Sequence, residues 1–120
     1  HASRATEQIA QICDIVILPT GNSLDDINPQ IKLAHELVKS GIDKNTILFA
    51  MVRVGNSKAE NHESIEYIKM AGYKVLDGSI PEKTGYRRAI DLGKSIAETA
   101  FKTLNDNSDQ LMQSIINELK

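Results

Sequence analysis

Asp14-Ile15-Val16-Ile17-Leu18-Pro19-Thr20-Gly21 decides the fold. It is a short, continuously apolar run rich in β-branched residues, stopped by Pro and Gly, and such a run reads as a strand buried on both faces. Strands of that kind belong to parallel sheets covered by helices. Downstream the pattern alternates: helix, apolar strand, helix, third strand. Alternation of this type predicts an α/β fold with three layers and a mostly parallel sheet. Ligands of such sheets sit beyond the carboxyl ends of the strands, which directs attention to the loops at 19–28, 53–57 and 78–86.

The periodicity around that strand sets the remaining elements. Ser3 is placed to cap a first helix running to about Ile12, with Thr6 and Glu7 in its first turn and Ile9 and Ile12 on one face. Asn28 followed by Pro29 reads as the N-cap and first position of a second helix. Ile31, Ala34, Leu37 and Val38 mark its inner face, and Gly41 ends it. Residues 46–52 form a second buried strand. Ser57-Lys58-Ala59-Glu60 has the reciprocal capping pattern that opens a third helix, with Ile65 and Ile68 inward and Gly72 closing it. A shorter third strand covers 73–77 and ends at Gly78. A long helix is expected from near Thr84 to about Leu104, with Ala89, Leu92, Ile96, Ala100 and Leu104 as its buried line. Asn105-Asp106-Asn107-Ser108 reads as a polar break, and a last amphipathic helix from about Asp109 carries Leu111, Met112, Ile115, Ile116 and Leu119.

The 120 residues suffice for one small domain with a modest core. Charged residues make up 25% and apolar residues 41%, an ordinary globular composition. The net charge of −2 provides no general attraction for nucleic acid or acidic lipid, so any such binding needs a local basic patch. A single cysteine, Cys13, excludes an intrachain disulfide and points to a reducing compartment. No apolar run approaches the roughly 20 residues that span a bilayer, and no signal peptide is visible. The chain opens on His1 rather than Met and runs straight into a helical pattern, which leads to the expectation of a piece of something longer. Three strands are also few, against a typical sheet of about five to six, and they would leave an edge with unpaired backbone groups. Both features predict part of a larger sheet.

Further along, the motifs have a family look. His1-Ala2-Ser3-Arg4-Ala5-Thr6 leading into Cys13-Asp14-Ile15-Val16-Ile17-Leu18-Pro19-Thr20 resembles the ParA/MinD family of deviant Walker ATPases, in the stretch just after that family's switch turn. Phe49-Ala50-Met51-Val52-Arg53-Val54-Gly55, Gly72-Tyr73-Lys74-Val75-Leu76-Asp77, and Ile80-Pro81-Glu82-Lys83 through Tyr86-Arg87-Arg88-Ala89 to Gly93 are similar to later family segments, in the same order. The resemblance covers residues 1–104, and 105–120 reads as a variable C-terminal amphipathic helix.

This resemblance implies the C-terminal part of a P-loop NTPase fold. The complete protein would be an ATPase for plasmid or chromosome partitioning, using ATP and Mg2+. It would act as a homodimer on nonspecific DNA with a centromere-binding partner protein, in the cytoplasm and at the nucleoid. No G-x-x-x-x-G-K-[ST] occurs in this chain. The expectation is therefore that these residues alone bind no cofactor, carry no catalytic residue and do not hydrolyse ATP.

By position in the family, Arg53, Ile80 and Pro81 would line the base side of the nucleotide pocket. Relatives often carry Asn where this chain has Val52, which has no amide with which to read adenine. The plain alternative is a solvated strand-end Arg53 and a turn-forming Pro81. Lys83, Arg87, Arg88 and Lys94 gather within a dozen residues, and the family resemblance implies that they would contact DNA phosphates. Asp91 is equally spaced to pair with Arg87 or Arg88 on an ordinary helix surface. Asp25 and Asp26 suit a helix N-terminus and, by the resemblance, a dimer contact. His35 and His62 lack partners at metal-ligand spacing. Cys13 reads as a buried small hydrophobe. The tail lacks the cationic face of membrane-binding helices, so no membrane partner is expected. A rival reading is a stand-alone α/β protein-interaction module without nucleotide chemistry.

Overall fold

The computed structural model describes residues 3–55, 57–81, 89, 90, 92, 93, 95–97, 99 and 102–120. Among the described residues, the elements with described bounds follow in the order α1 Arg4–Ile12, β1 Val16–Thr20, α2 Leu24–Lys39, β2 Ile47–Val54, α3 Lys58–Met70, β3 Lys74–Pro81 and α4 Lys102–Leu119, with a 3-10 turn at Lys44–Thr46 before β2, and Ala89 and Ile90 are helical as well. The sheet is parallel throughout, in the order β1-β2-β3. The α/β class expected from the strand pattern is therefore present.

β2, the central strand, shows why the layers form. Its side chains alternate with the pleat. Ile47, Phe49 and Met51 face a cluster with Leu18, Ile27, Ala34, Leu37, Ile68 and Tyr73, while Leu48 and Ala50 face a second cluster with Leu76, Ile80, Leu104 and Leu111. Thus α1, α2 and α3 cover one face and α4 the other. The common face of α2 and α3 follows from chain order, since successive right-handed crossovers between strands laid side by side fall on the same side.

Local signals fix most helix ends. Ser3 and Ser57 cap as expected, accepting from the N–H of Thr6 and Glu60 at 3.1 and 3.2 Å. Gly41 and Gly72 take positive φ, and the following Ile42 and Tyr73 donate back to Leu37 and Ile68, closing α2 and α3.

Several boundaries differ from expectation. α2 starts one turn earlier, capped by Ser23, whose Oγ accepts from Asp26 N–H. Pro29 therefore lies inside the helix, and the Asp25 carbonyl receives no bond from position 29. Both residues are exposed, so water can satisfy that carbonyl. Asn28, free of capping duty, accepts instead from Tyr67 Oη of α3 at 2.7 Å. β3 continues through Gly78 to Pro81, with shifts in its register against β2. Gly78 permits this with φ +86°, and a Cβ there would stand 3.1 Å from the Leu111 nitrogen of α4.

The C-terminal region departs most. The helix expected over 84–104 is not continuous: Leu92-Gly93 and Ile96-Ala97 are turns, with Gly93 at φ +75°. The polar break expected at 105–108 lies inside α4. Its polar side chains hold the preceding segment rather than stopping the helix. Asn105 Oδ1 accepts from both the N–H and the hydroxyl of Thr99 at 2.7 Å, and its Nδ2 donates to the Thr99 carbonyl at 3.1 Å. Ser108, fully buried, donates to the carbonyls of Asn105 and Ile96.

The opening strand is also less covered than its apolar run predicts. β1 is an outer strand, and Ile15, Val16 and Ile17 are half-buried. Beside it α1 buries only Ala10, leaving Ile9 61% and Ile12 84% exposed. Cys13, expected to be buried, is exposed.

Candidate functional site at the carboxyl ends of the strands

The carboxyl ends of β1 and β2 frame a groove of about 600 Å³ lined by Pro19, Thr20, Gly21, the Asp25-Asp26 pair, Pro29, Gln30, Val52 and Arg53. Its walls follow from local chemistry. β1 ends at Thr20, which is buried and donates from its hydroxyl to the Gly21 carbonyl at 3.0 Å. The Asp26 carboxylate lies against Gly21, on the side where any larger residue would carry its Cβ. Gln30, one turn further along α2, donates from Nε2 to the Pro19 carbonyl at 2.7 Å.

Arg53 forms the opposite wall. It is exposed and has φ +54°, the one described non-glycine residue in the left-handed region. That conformation costs about 1–2 kcal/mol for a residue with a Cβ. It coincides with the irregular register of β2 against β3 between Val52 and Val54. Within the strand Arg53 is exposed, while Val54 beside it stays in the core.

Two asparagines stitch the loops together. Asn22 Nδ2 donates to Asn61 Oδ1 at 2.8 Å, and Asn61 Nδ2 donates to the Gly55 carbonyl at 3.1 Å. Ser64, also on α3, donates to the Asn22 carbonyl at 2.7 Å. The loops after β1 and β2 are therefore held to each other by the first two turns of α3. Sequence reading missed Asn22, Gln30 and Asn61. Nothing local marks them, since their partners lie 39, 11 and 6 residues away.

The expected base-side residues separate. Arg53 lines the groove, whereas Ile80 pairs in register with Val52 and is buried in the cluster beneath α4, 8% exposed. Pro81 pairs with Val54 at the end of β3. Neither Ile80 nor Pro81 belongs to the groove lining that contains Arg53. Lys83, Arg87, Arg88 and Lys94, the expected DNA-contacting cations, lie outside the described residues, as does Asp91.

Asp25 and Asp26 sit at the groove rim, in the first turn of α2. His35 is hydrogen-bonded through Nδ1 to Tyr73 Oη, and Lys44 Nζ lies 4.7 Å from the centre of the same tyrosine ring. Burial raises the Tyr73 pKa above its ordinary value of 10.0. His62 lines a separate cavity of about 420 Å³ between α3, β3 and α4, along with Glu66, Lys69 and Asp77. Among the described residues no three His, Cys, Asp or Glu side chains cluster as a metal site. The carboxyl-end groove thus offers one guanidinium, two carboxylates and an amide, a set suited to hydrogen bonding and charge recognition.

A third concavity, about 310 Å³, runs along the outer edge of β1 between α1 and α2. It is mostly apolar, with Ile9, Ala10, Val16, Leu18, Leu33 and Leu37 among its lining. Among the described residues no helix is long and apolar enough to cross a membrane. Against the models of known protein families and against curated proteins, the chain finds no match.

Proposed function

We propose that this chain supplies the later strands of a ParA-like P-loop ATPase that partitions plasmids or chromosomes. The phosphate-gripping strand and its P-loop would pack beside β1. In the complete protein ATP and Mg2+ bind across the carboxyl ends of the joined sheet, the ATP-bound form is a homodimer, and nonspecific DNA and a centromere-binding protein are its partners.

The observation that carries this reading is the contrast between the two edges of the sheet. β3 is defended as natural outer strands are. Lys74 and Asp77 lie on it, Asp77 N–H donates to Ser114 Oγ of α4 at 2.9 Å, Lys74 pairs with Glu118 at 3.8 Å, and its register is broken. β1 has none of these charges. Residues 15–20 are uncharged and in unbroken register with β2. Apolar surface flanks this edge on both faces: Ile9 and the groove on one side, half-buried Ile15 and Ile17 on the other. An edge apolar on both faces suits an inner strand of a sheet sandwiched between helices.

The deciding measurement is equilibrium binding of a fluorescent ATP analogue, with Mg2+, to the complete protein and to these 120 residues. Saturable binding by the complete protein, slow hydrolysis stimulated by DNA, and no binding by the 120 residues are expected. Absence of nucleotide binding by the complete protein would refute the reading and leave the rival one, an interaction module.

A further inference from the structure

We draw no further inference here: the strongest candidate, the apolar groove along the outer edge of β1 together with the Met112, Ile116 and Leu119 stripe on α4, carries nothing because the groove belongs to the surface the proposed function already fills and nothing in the structure shows what covers the stripe.

Discussion

Asn22 and Asn61, 39 residues apart in sequence, share a 2.8 Å hydrogen bond that ties the loop after β1 to the first turns of α3. Because Asn61 also donates to the Gly55 carbonyl, one side chain holds both loops that frame the groove. Asn61→Ala is expected to cost about 1 kcal/mol, the loss of one partly buried bond and one exposed bond. Asn61→Asp keeps the acceptor for Asn22, loses the donor to Gly55, and should fall between. Urea unfolding monitored by circular dichroism checks this order, and an alanine variant as stable as the parent would show that the network is not holding the loops.

Arg53 separates conformational strain from side-chain chemistry. Its φ of +54° suits glycine and strongly disfavours a β-branched residue. Both Arg53→Gly and Arg53→Val delete the guanidinium, so their difference isolates the backbone. The valine variant should be less stable by about 1–3 kcal/mol. Equal melting temperatures would contradict the left-handed conformation.

Gly78 is tested by crowding. Alanine there meets both a positive φ and α4 backbone at 3.1 Å. Gly78→Ala should destabilise by about 2 kcal/mol or more. Amide exchange should also rise in α4 near Leu111, because relief requires the helix to move away from β3.

Tyr73 gives a pH dependence with a definite sign. Burial disfavours the phenolate, so the folded pKa lies above the unfolded value of 10.0. Below pH 10 both states hold the proton and the contribution to stability is complete. As pH rises from about 10 through the folded pKa, the unfolded state ionises first and that contribution is lost. Stability measured in this range should fall less steeply for Tyr73→Phe than for the parent. The same variant should lose about 0.5–1.5 kcal/mol at neutral pH with its hydrogen bond to His35.

Ile17→Lys probes the β1 edge. In the 120-residue chain Ile17 is half-buried, and lysine can carry its ammonium to water along its stem, so a loss of at most about 1 kcal/mol is expected. In the complete protein the same charge would be enclosed by helices and a neighbouring strand, costing about 3 kcal/mol or more. Parallel thermal denaturation of the two forms checks this. Equal effects in both would speak against a further strand beside β1.

Strand runs and helix caps were legible because their causes are local. The apolar stretches at 14–18 and 46–52 became β1 and β2, and Ser3, Ser57, Gly41 and Gly72 ended their helices as read. Capping and positive φ depend on two or three neighbouring residues, so sequence alone suffices. Asn28-Pro29 misled because it is locally a good helix start, yet Ser23 caps one turn earlier and Asn28 reaches Tyr67 instead. The polar residues at 105–108 misled for the same reason. Asn105 and Ser108 have their partners in Thr99 and Ile96, which helix periodicity does not register.

By itself the sequence determined a parallel α/β sheet and its strand order along the chain, and it directed the search for a site to the loops at the carboxyl ends. Apolar runs, crossover lengths and caps are properties of contiguous residues, and they leave few alternatives. Only the tertiary structure decided that β1 lies at an open edge, that Arg53 and not Ile80 faces the groove, and that Asn61 joins the loops. Those outcomes depend on which strand is left unpaired and on how α4 settles over β3, both consequences of long-range packing in which each residue's partner is distant in the chain.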